Sequence, residues 1–227
     1  MRTIARSPQL PRLPLAVALT AVAGFVDAVG YLHFAHVFVS FMSGNSTVLG
    51  IALGRGAGSG ARAPLVAIGC FVLGAFIGFL IRGSQSAWRT PLVLSLESIV
   101  LVLALVASAA GRDPAVAIAP LAAAMGAQNA VVREVGGVRI ALTYITGALV
   151  NLGQSLAHLL LARGTRTSAW HVHAGVWIAL IAGGTGGGFA YTRTGFRALI
   201  VPIVVLGTIA IMEYALVAAH RRSTPRR

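Results

Sequence analysis

The stretch LPLAVALTAVAGFVDAVGYL, residues 13–32, contains one charged side chain, Asp27, among twenty residues. About 20 consecutive apolar residues cross the hydrocarbon core of a bilayer as an α-helix, so this stretch predicts a transmembrane helix. Asp27 lies about 21 Å along that helix at about 1.5 Å per residue. An ionisable side chain at membrane depth is costly and usually faces a partner or a water-filled cavity. Asp27 is therefore the first candidate functional residue.

The rest of the chain repeats this apolar character. Of its 227 residues 57% are hydrophobic and 10% are charged, with a mean hydropathy of +0.84. A soluble globular chain carries about 25% charged residues, so this composition excludes that class and predicts an all-α integral membrane protein. Cutting the sequence at its arginines and at Gly/Pro/Ser clusters gives eight apolar blocks, residues 13–32, 37–53, 64–81, 91–110, 114–132, 140–162, 172–191 and 198–219.

Charge bears on membrane topology. The formal net charge is +13, and all 18 cations are arginines spread singly between apolar blocks. Nucleic-acid binding requires clustered cations, so we expect no nucleic-acid partner. Cytoplasmic loops carry the excess of arginine. Eight crossings place twelve arginines inside against six outside, and six crossings, with the second and sixth blocks re-entrant, place thirteen against five. Seven crossings give no bias. We expect eight on block length, and both alternatives place the two termini in the cytoplasm.

An internal repeat divides the chain into residues 1–111 and 112–227, which together form one membrane domain. The motif FMSG at 41–44 matches YITG at 144–147, and GFVD at 24–27 falls on GAQN at 126–129. Gly74 and Gly78 resemble Gly183 and Gly187 in spacing. Eight crossings would make the two repeats parallel, whereas six would make them inverted. The expected eight crossings predict parallel repeats.

The second block of each repeat has an unusual order of residues. The segments VFV at 37–39 and IALTY at 140–144 put β-branched and aromatic residues ahead of Ser43-Gly44 and Thr146-Gly147. An extended stretch that ends at a helix cap has this order. Each block is then a broken span whose half-helix begins in mid-bilayer, with its positive dipole end towards a central site. The alternative is an ordinary helix in which the hydroxyl bonds to the preceding turn.

These motifs predict one polar site at the interface of the repeats, near the middle of the bilayer. Asp27 has an uncharged counterpart, Asn129, in the second repeat. The predicted substrate-binding residues are Asp27, Ser43, Gly44, Asn45, Gln128, Asn129, Thr146 and Gly147. We expect no cofactor and no metal site, because neither histidine pair has an acid or thiol beside it. The sequence carries no catalytic motif, so we expect that the protein is not an enzyme.

The motif residues also carry a family resemblance. GFVDAVGYL at 24–32, FMSGN at 41–45, QNAV at 128–131, YITG at 144–147 and NLG at 151–153 resemble the bacterial YoaK family of small membrane proteins, a domain of unknown function. The resemblance covers nearly the whole chain and implies a multi-span protein of the bacterial inner membrane. Where that family commonly has Thr before Gly-Asn, this chain has Ser43, which keeps the hydroxyl. The resemblance implies no activity.

Two functions of different classes fit the sequence. The first is a small-solute transporter or channel, with a solute or a proton as ligand at the repeat interface. The second is a non-transporting scaffold, assembly factor or sensor in which the same motifs hold helices together. Transport predicts that Asp27 and Asn45 face water, and the scaffold predicts that protein groups satisfy both side chains. The lipid bilayer is a partner in either case, and the oligomeric state stays open, a homodimer included.

Overall fold

The computed structural model describes residues 12–223 except 35, 85, 112, 133, 136–137, 140–144 and 162–169. The expected all-α fold is confirmed, and one helix falls on each apolar block. A pair of two-residue strands was not expected; β1 (Glu134–Val135) pairs with β2 (Val138–Arg139) in antiparallel register. The helices are α1 (Arg12–His33), α2 (Met42–Gly54), α3 (Gly58–Gly83), α4 (Arg89–Ala109), α5 (Pro114–Gln128), α6 (Ile145–Leu160), α7 (Trp170–Thr194) and α8 (Ile200–Ser223).

Four helical runs are long and apolar enough to cross a bilayer: α1, α3, α4 and a run of 54 residues over Trp170–Ser223. A straight helix of that length would measure about 80 Å, far more than the hydrocarbon thickness of about 30 Å. The run contains a 3-10 turn at Gly195–Leu199, where Gly195 has φ +60°, a conformation that glycine adopts without strain. The turn separates α7 from α8, which are each long enough to cross.

Two pairs of long helices pack closely through glycine, and both pairs are parallel. Along α1 and α7, Gly183 abuts the backbone of Ala21 and Gly187 abuts that of Phe25, so the residue numbers rise together. Along α3 and α5, Gly74 abuts Ala123 and Gly78 abuts Ala127 in the same sense. A Cβ at Gly74 or Gly183 would overlap a carbonyl oxygen of the neighbouring helix. Small residues allow this close approach of helices in lipid.

Contacts at the helix ends fix the remaining directions. The Nε2 atom of His33, at the end of α1, lies 3.2 Å from the Oγ atom of Ser108 at the end of α4, so these helices end together. The ring of Trp88, just before α4, lies 5.5 Å from that of Tyr214, in the second half of α8, so α4 and α8 are antiparallel. Helices α1, α4 and α7 therefore run in one direction, and α8 runs in the other.

Helix α3 begins at the end of the bundle where α1 finishes. Arg62, in the second turn of α3, forms a 3.1 Å ion pair with Asp113 in the link between α4 and α5. That link follows Ser108, which contacts the last residue of α1. At the opposite end, Arg82 of α3 donates 2.6 Å and 3.1 Å hydrogen bonds to the carbonyl oxygens of Ala130 and Val131, just after α5. Helices α3 and α5 therefore run with α8.

The helix directions differ from those expected for eight crossings. Because α1 ends and α3 begins at the same end of the bundle, the segment from residue 34 to 57 returns to that end. Its helix, α2, has 13 residues and begins two residues after Ser40, which binds Asp27 in the last third of α1. The directions of the described helices are those of the six-crossing alternative, and α5, with 15 residues, is shorter than the runs that are long enough to cross. Block length favoured eight crossings because it does not show that residues 37–41 of the second block are not helical.

Candidate functional site

Asp27 holds the connecting segment, the non-helical residues 37–41 between α1 and α2. Its Oδ1 atom accepts hydrogen bonds from the backbone N–H groups of Val39 at 2.8 Å and Ser40 at 2.7 Å. The hydroxyl of Ser40 donates to the other carboxylate oxygen, Oδ2. Gly30 leaves room for this approach, because a Cβ there would come within 2.9 Å of the Val39 side chain. The carboxylate thus fixes the depth at which the chain turns back along α1.

Asn45, in the first turn of α2, holds the same segment from the other side. Its Oδ1 atom accepts from the N–H of Phe38 at 3.0 Å, and its Nδ2 donates to the carbonyl oxygen of Phe38 at 2.7 Å. The ring of Phe38 packs 4.7 Å from that of Tyr31 and 5.2 Å from that of Phe41. Asn45 is fully buried. One amide side chain therefore satisfies both backbone groups of one non-helical residue.

The lipid surroundings explain why an acid and an amide are needed at these two positions. In lipid no water is available to pair with irregular backbone, so such a segment is tolerated where protein or a cavity satisfies its N–H and C=O groups. Asp27 and Asn45 between them satisfy three backbone N–H groups and one carbonyl of residues 38–40. The acid and the amide are therefore explained by the backbone of the connecting segment, without any ligand.

A cavity of about 430 Å³ lies beside this segment. It is bounded by α1, the connecting segment, the N-terminal turns of α6 and the middle of α7. Most of its wall is apolar, and its polar side chains include the carboxylate of Asp27 and the hydroxyls of Ser40 and Thr146. The lining residues are Gly24, Asp27, Ala28, Tyr31, Phe38, Ser40, Phe41, Ile145, Thr146, Leu149, Leu180 and Gly184.

The structure brings together some of the predicted site residues. Asp27 and Thr146, one from each half, line the cavity, and Gly147 follows Thr146 in the first turn of α6. Gly44 packs behind the cavity wall, where a Cβ would come within 2.6 Å of the Phe41 ring. Ser43 is exposed, in the first turn of α2. Asn45 faces Phe38 and does not line the cavity.

The predicted residues of α5 lie elsewhere. Gln128 is fully buried, and its Nε2 donates to the carbonyl oxygen of Leu19 on α1 at 3.2 Å. Asn129 follows the last helical residue and donates through Nδ2 to the carbonyl oxygen of Met125 at 3.0 Å. Neither side chain lines the cavity. The stretch 140–144, predicted to be extended, lies outside the described residues.

Of the twelve residues that line the cavity, the sequence predicted Asp27 and Thr146, and those that it missed include a serine and aromatic residues. Ser40 binds the carboxylate, and Tyr31 and Phe41 form aromatic walls of the cavity. A usable signal was present for Ser40, since it is the one hydroxyl in the apolar segment 37–41. Tyr31 and Phe41 carry no signal that separates them from aromatic residues facing lipid.

The fold and this site define a class: a helical membrane protein in which a non-helical connecting segment, followed by a short helix, lines a cavity. The chain belongs to the family described as "Protein of unknown function (DUF1275)", whose sequence model matches residues 15–212. The resemblance to YoaK-type membrane proteins is thereby confirmed.

Two relatives are named as transmembrane proteins. UPF0700 transmembrane protein RA0705 of Rhizobium meliloti (strain 1021) is 32% identical over 203 residues, which cover 88% of this chain and 85% of the relative. UPF0700 transmembrane protein YoaK of Bacillus subtilis (strain 168) is 30% identical over 152 residues, which cover 64% of this chain and 68% of the relative. No solved structure matches the chain.

Proposed function

We propose that the protein is a small-solute transporter or channel of the bacterial inner membrane, with its solute site in the cavity beside Asp27. The observation that carries the proposal is that cavity, because its wall combines α1, the connecting segment, the start of α6 and α7. A volume of about 430 Å³ falls within the range of about 300–1,000 Å³ typical of small-molecule sites. The proposal assigns no catalysis to the chain.

The packing of the long helices supports two inverted repeats. Ala21, Gly24 and Phe25 of α1 meet α7, and the residues 102 positions later, Ala123, Gly126 and Ala127 of α5, meet α3. Their partners on α3 and α7 are related in turn by an offset of 109, as Gly74 is to Gly183 and Gly78 to Gly187. The same contact is therefore built twice from corresponding residues, and α1 and α5 run in opposite directions. Inverted repeats with broken elements are a recurrent transporter architecture.

Arginine distribution supports a cytoplasmic location for both termini. The six-crossing path places thirteen arginines at the end of the bundle where α1 begins and five at the opposite end. Cytoplasmic loops carry such an excess, so the end where α1 begins is the cytoplasmic one. Residues 34–57 then form a re-entrant element that opens towards the outside. By the repeat, the segment from α5 to α7 forms its counterpart on the cytoplasmic side.

The chemistry of the cavity favours a mainly apolar small solute. Its wall is apolar except for a few groups, and the Asp27 carboxylate already accepts three hydrogen bonds from Val39 and Ser40. The hydroxyl of Thr146, at the start of α6, is the polar group best placed to orient a solute. The N-terminal end of α6 adds a partial positive charge on that side of the cavity.

The test is a screen of solutes for thermal stabilisation of the purified protein. A solute that binds the folded state alone raises its unfolding temperature. Leu149→Trp places a large side chain in the cavity wall, and Leu160→Trp is the matched control, because Leu160 lies on the same helix with 85% of its side chain exposed. Stabilisation should disappear in Leu149→Trp and persist in Leu160→Trp. An equal response in both variants would exclude this cavity as the site.

A second function, a non-transporting scaffold, is favoured by one specific observation. Protein groups satisfy the carboxylate of Asp27 and the amide of Asn45, which is what a purely structural role requires. The two functions differ in what Asp27→Asn should do. A scaffold loses stability and has no ligand response to lose, whereas a transporter with its site in this cavity responds to a solute and changes that response on substitution.

A further inference from the structure

A second buried carboxylate, Glu97, lies on α4 away from the cavity. It is eight residues after Arg89 and twelve before Ala109, which places it about 12 Å and 18 Å from the two ends of the helix. Its side chain is fully buried. Neither Oε1 nor Oε2 has a hydrogen-bond partner among the described residues. Asp27 is the opposite case, since its carboxylate accepts from several donors.

The surroundings of Glu97 are apolar. Val93, Leu94, Leu101 and Ala104 lie three, four or seven residues away on the same face of α4, and each is at most 1% exposed. These residues belong to the main hydrophobic core, together with Leu121, Ala122 and Met125 of α5. The side chain of Glu97 therefore points into the packed interior and not towards lipid headgroups or water.

The next question is whether a charged or titratable side chain of a neighbouring element reaches the carboxyl group of Glu97. Within its bounds α5 contains none. On α3, Arg62 pairs with Asp113, Arg82 binds the backbone after α5, and Cys70 is half-buried. The 3-10 turn contributes Arg197, which is exposed. The titratable groups of α8 are Glu213, Tyr214, His220, Arg221 and Arg222. Tyr214 and Arg221 pack against Trp88, which precedes Glu97 by nine residues, or about 14 Å along the axis of α4.

We infer that Glu97 binds a proton in the interior of the helix bundle and is a neutral carboxylic acid at neutral pH. The physical argument is that an ionised carboxylate without donors or a cation is not sustained in an apolar interior, and the group neutralises instead. No described arginine or histidine forms an ion pair with it. The inference is independent of the proposed transport function.

Protonation of Glu97 is linked to the packing of α4. While α4 packs against α5 and α8, the proton has no path to water, because the carboxyl is fully buried. Exchange of the proton requires these helices to separate. A state in which Glu97 reaches water can lose the proton, and a state in which it is buried retains it, so proton binding favours the closed bundle. Glu97 is thus a proton-sensitive group at the centre of the fold.

Infrared spectroscopy of labelled protein tests this inference directly. The chain has three glutamates, Glu97, Glu134 and Glu213. In the variant Glu134→Gln/Glu213→Gln, Glu97 is the sole glutamate, so glutamate labelled with ¹³C at its side-chain carboxyl reports on it alone. We expect the isotope-shifted C=O stretch of a protonated acid at pH 7, in both sodium chloride and choline chloride. Carboxylate bands in both buffers would overturn the inference, and carboxylate bands in sodium chloride alone would identify Na⁺ as the ligand and overturn it equally.

A second arm covers a failure of the double variant to fold. Wild-type protein labelled in the same way should show a protonated band that Glu97→Gln weakens and that Glu134→Gln leaves unchanged, whereas any part contributed by Glu213, which is also fully buried, is lost in Glu213→Gln. A protonated band of equal intensity in wild type and Glu97→Gln would overturn the inference. A labelled wild-type spectrum without any protonated band would overturn the inference. Folding of each variant is checked by size-exclusion chromatography and by helix content from circular dichroism.

Discussion

Replacing Asp27 by alanine leaves the backbone N–H groups of Val39 and Ser40 without their acceptor in a segment surrounded by protein and lipid. A buried donor left unsatisfied costs about 1–3 kcal/mol, so the two N–H groups together predict a loss of about 2–6 kcal/mol in the free energy of unfolding. The hydroxyl of Ser40 loses its acceptor as well and can rotate towards another one. Asp27→Ala should therefore be among the most destabilising substitutions in α1.

Asp27→Asn should cost less, because both backbone N–H groups bind the same oxygen, Oδ1, and an asparagine keeps that oxygen. The change converts hydrogen bonds to a charged acceptor, worth about 1.5–3 kcal/mol each, into neutral ones worth about 0.5–1.5 kcal/mol. Burying an uncharged amide is also less costly than burying a carboxylate, which offsets part of that loss. We expect a net cost of about 1–2 kcal/mol.

Reversible unfolding in mixed micelles of dodecyl maltoside and sodium dodecyl sulfate measures this order of stabilities. Asp113→Ala is the matched control, because it removes an aspartate whose ion pair with Arg62 is exposed to solvent and is worth about 0–1 kcal/mol. The expected order of unfolding free energies is wild type and Asp113→Ala first, then Asp27→Asn, then Asp27→Ala. Asp27→Ala within about 1 kcal/mol of wild type, or Asp27→Asn as unstable as Asp27→Ala, would refute the structural role assigned to the carboxylate.

Three further predictions follow from the helix packing and the path of the chain. Gly74→Ala should destabilise the protein by at least about 1–3 kcal/mol by overpacking, whereas Gly69→Ala on the same helix, with nothing near its Cβ position, should leave stability unchanged or raised in the same unfolding assay. In a cysteine-free background, an engineered thiol at Ser59 should react with an impermeant reagent outside intact cells and one at Ser86 should not; the reverse result would restore the eight-crossing path. His33→Ala should lower the free energy of unfolding by about 1–2 kcal/mol, because it removes the hydrogen bonds that join the ends of three helices, and an unchanged value would contradict that bridging role.

The composition of the sequence and the positions of its apolar blocks were enough to predict that the protein lies in lipid and that it is helical. The apolar blocks carry too few charged residues to form a surface that faces water, so they must lie in lipid. A block in lipid must pair its backbone N–H and C=O groups internally, which an α-helix does. For that reason each block contains a helix, as predicted. The order of β-branched residues before Ser43 and Gly44 also predicted a broken element, and in the described first half the second block is not helical before α2 begins at Met42.

The tertiary structure decided the direction of the helices and the partners of the polar groups. Block length could not show that α2 turns back, because a block of 17 residues has the same length whether its non-helical part and its helix run in one direction or in opposite directions. The repeat predicted that Asn129 would mirror Asp27, yet α5 ends at Gln128 and Asn129 binds the preceding turn. Whether a buried acid has hydrogen-bond donors depends on how segments pack in three dimensions. The N–H groups of residues 39 and 40 bind Asp27, whereas no described donor reaches Glu97. Helix periodicity is local and visible in sequence, whereas pairing across the bundle depends on packing, which a single sequence does not record.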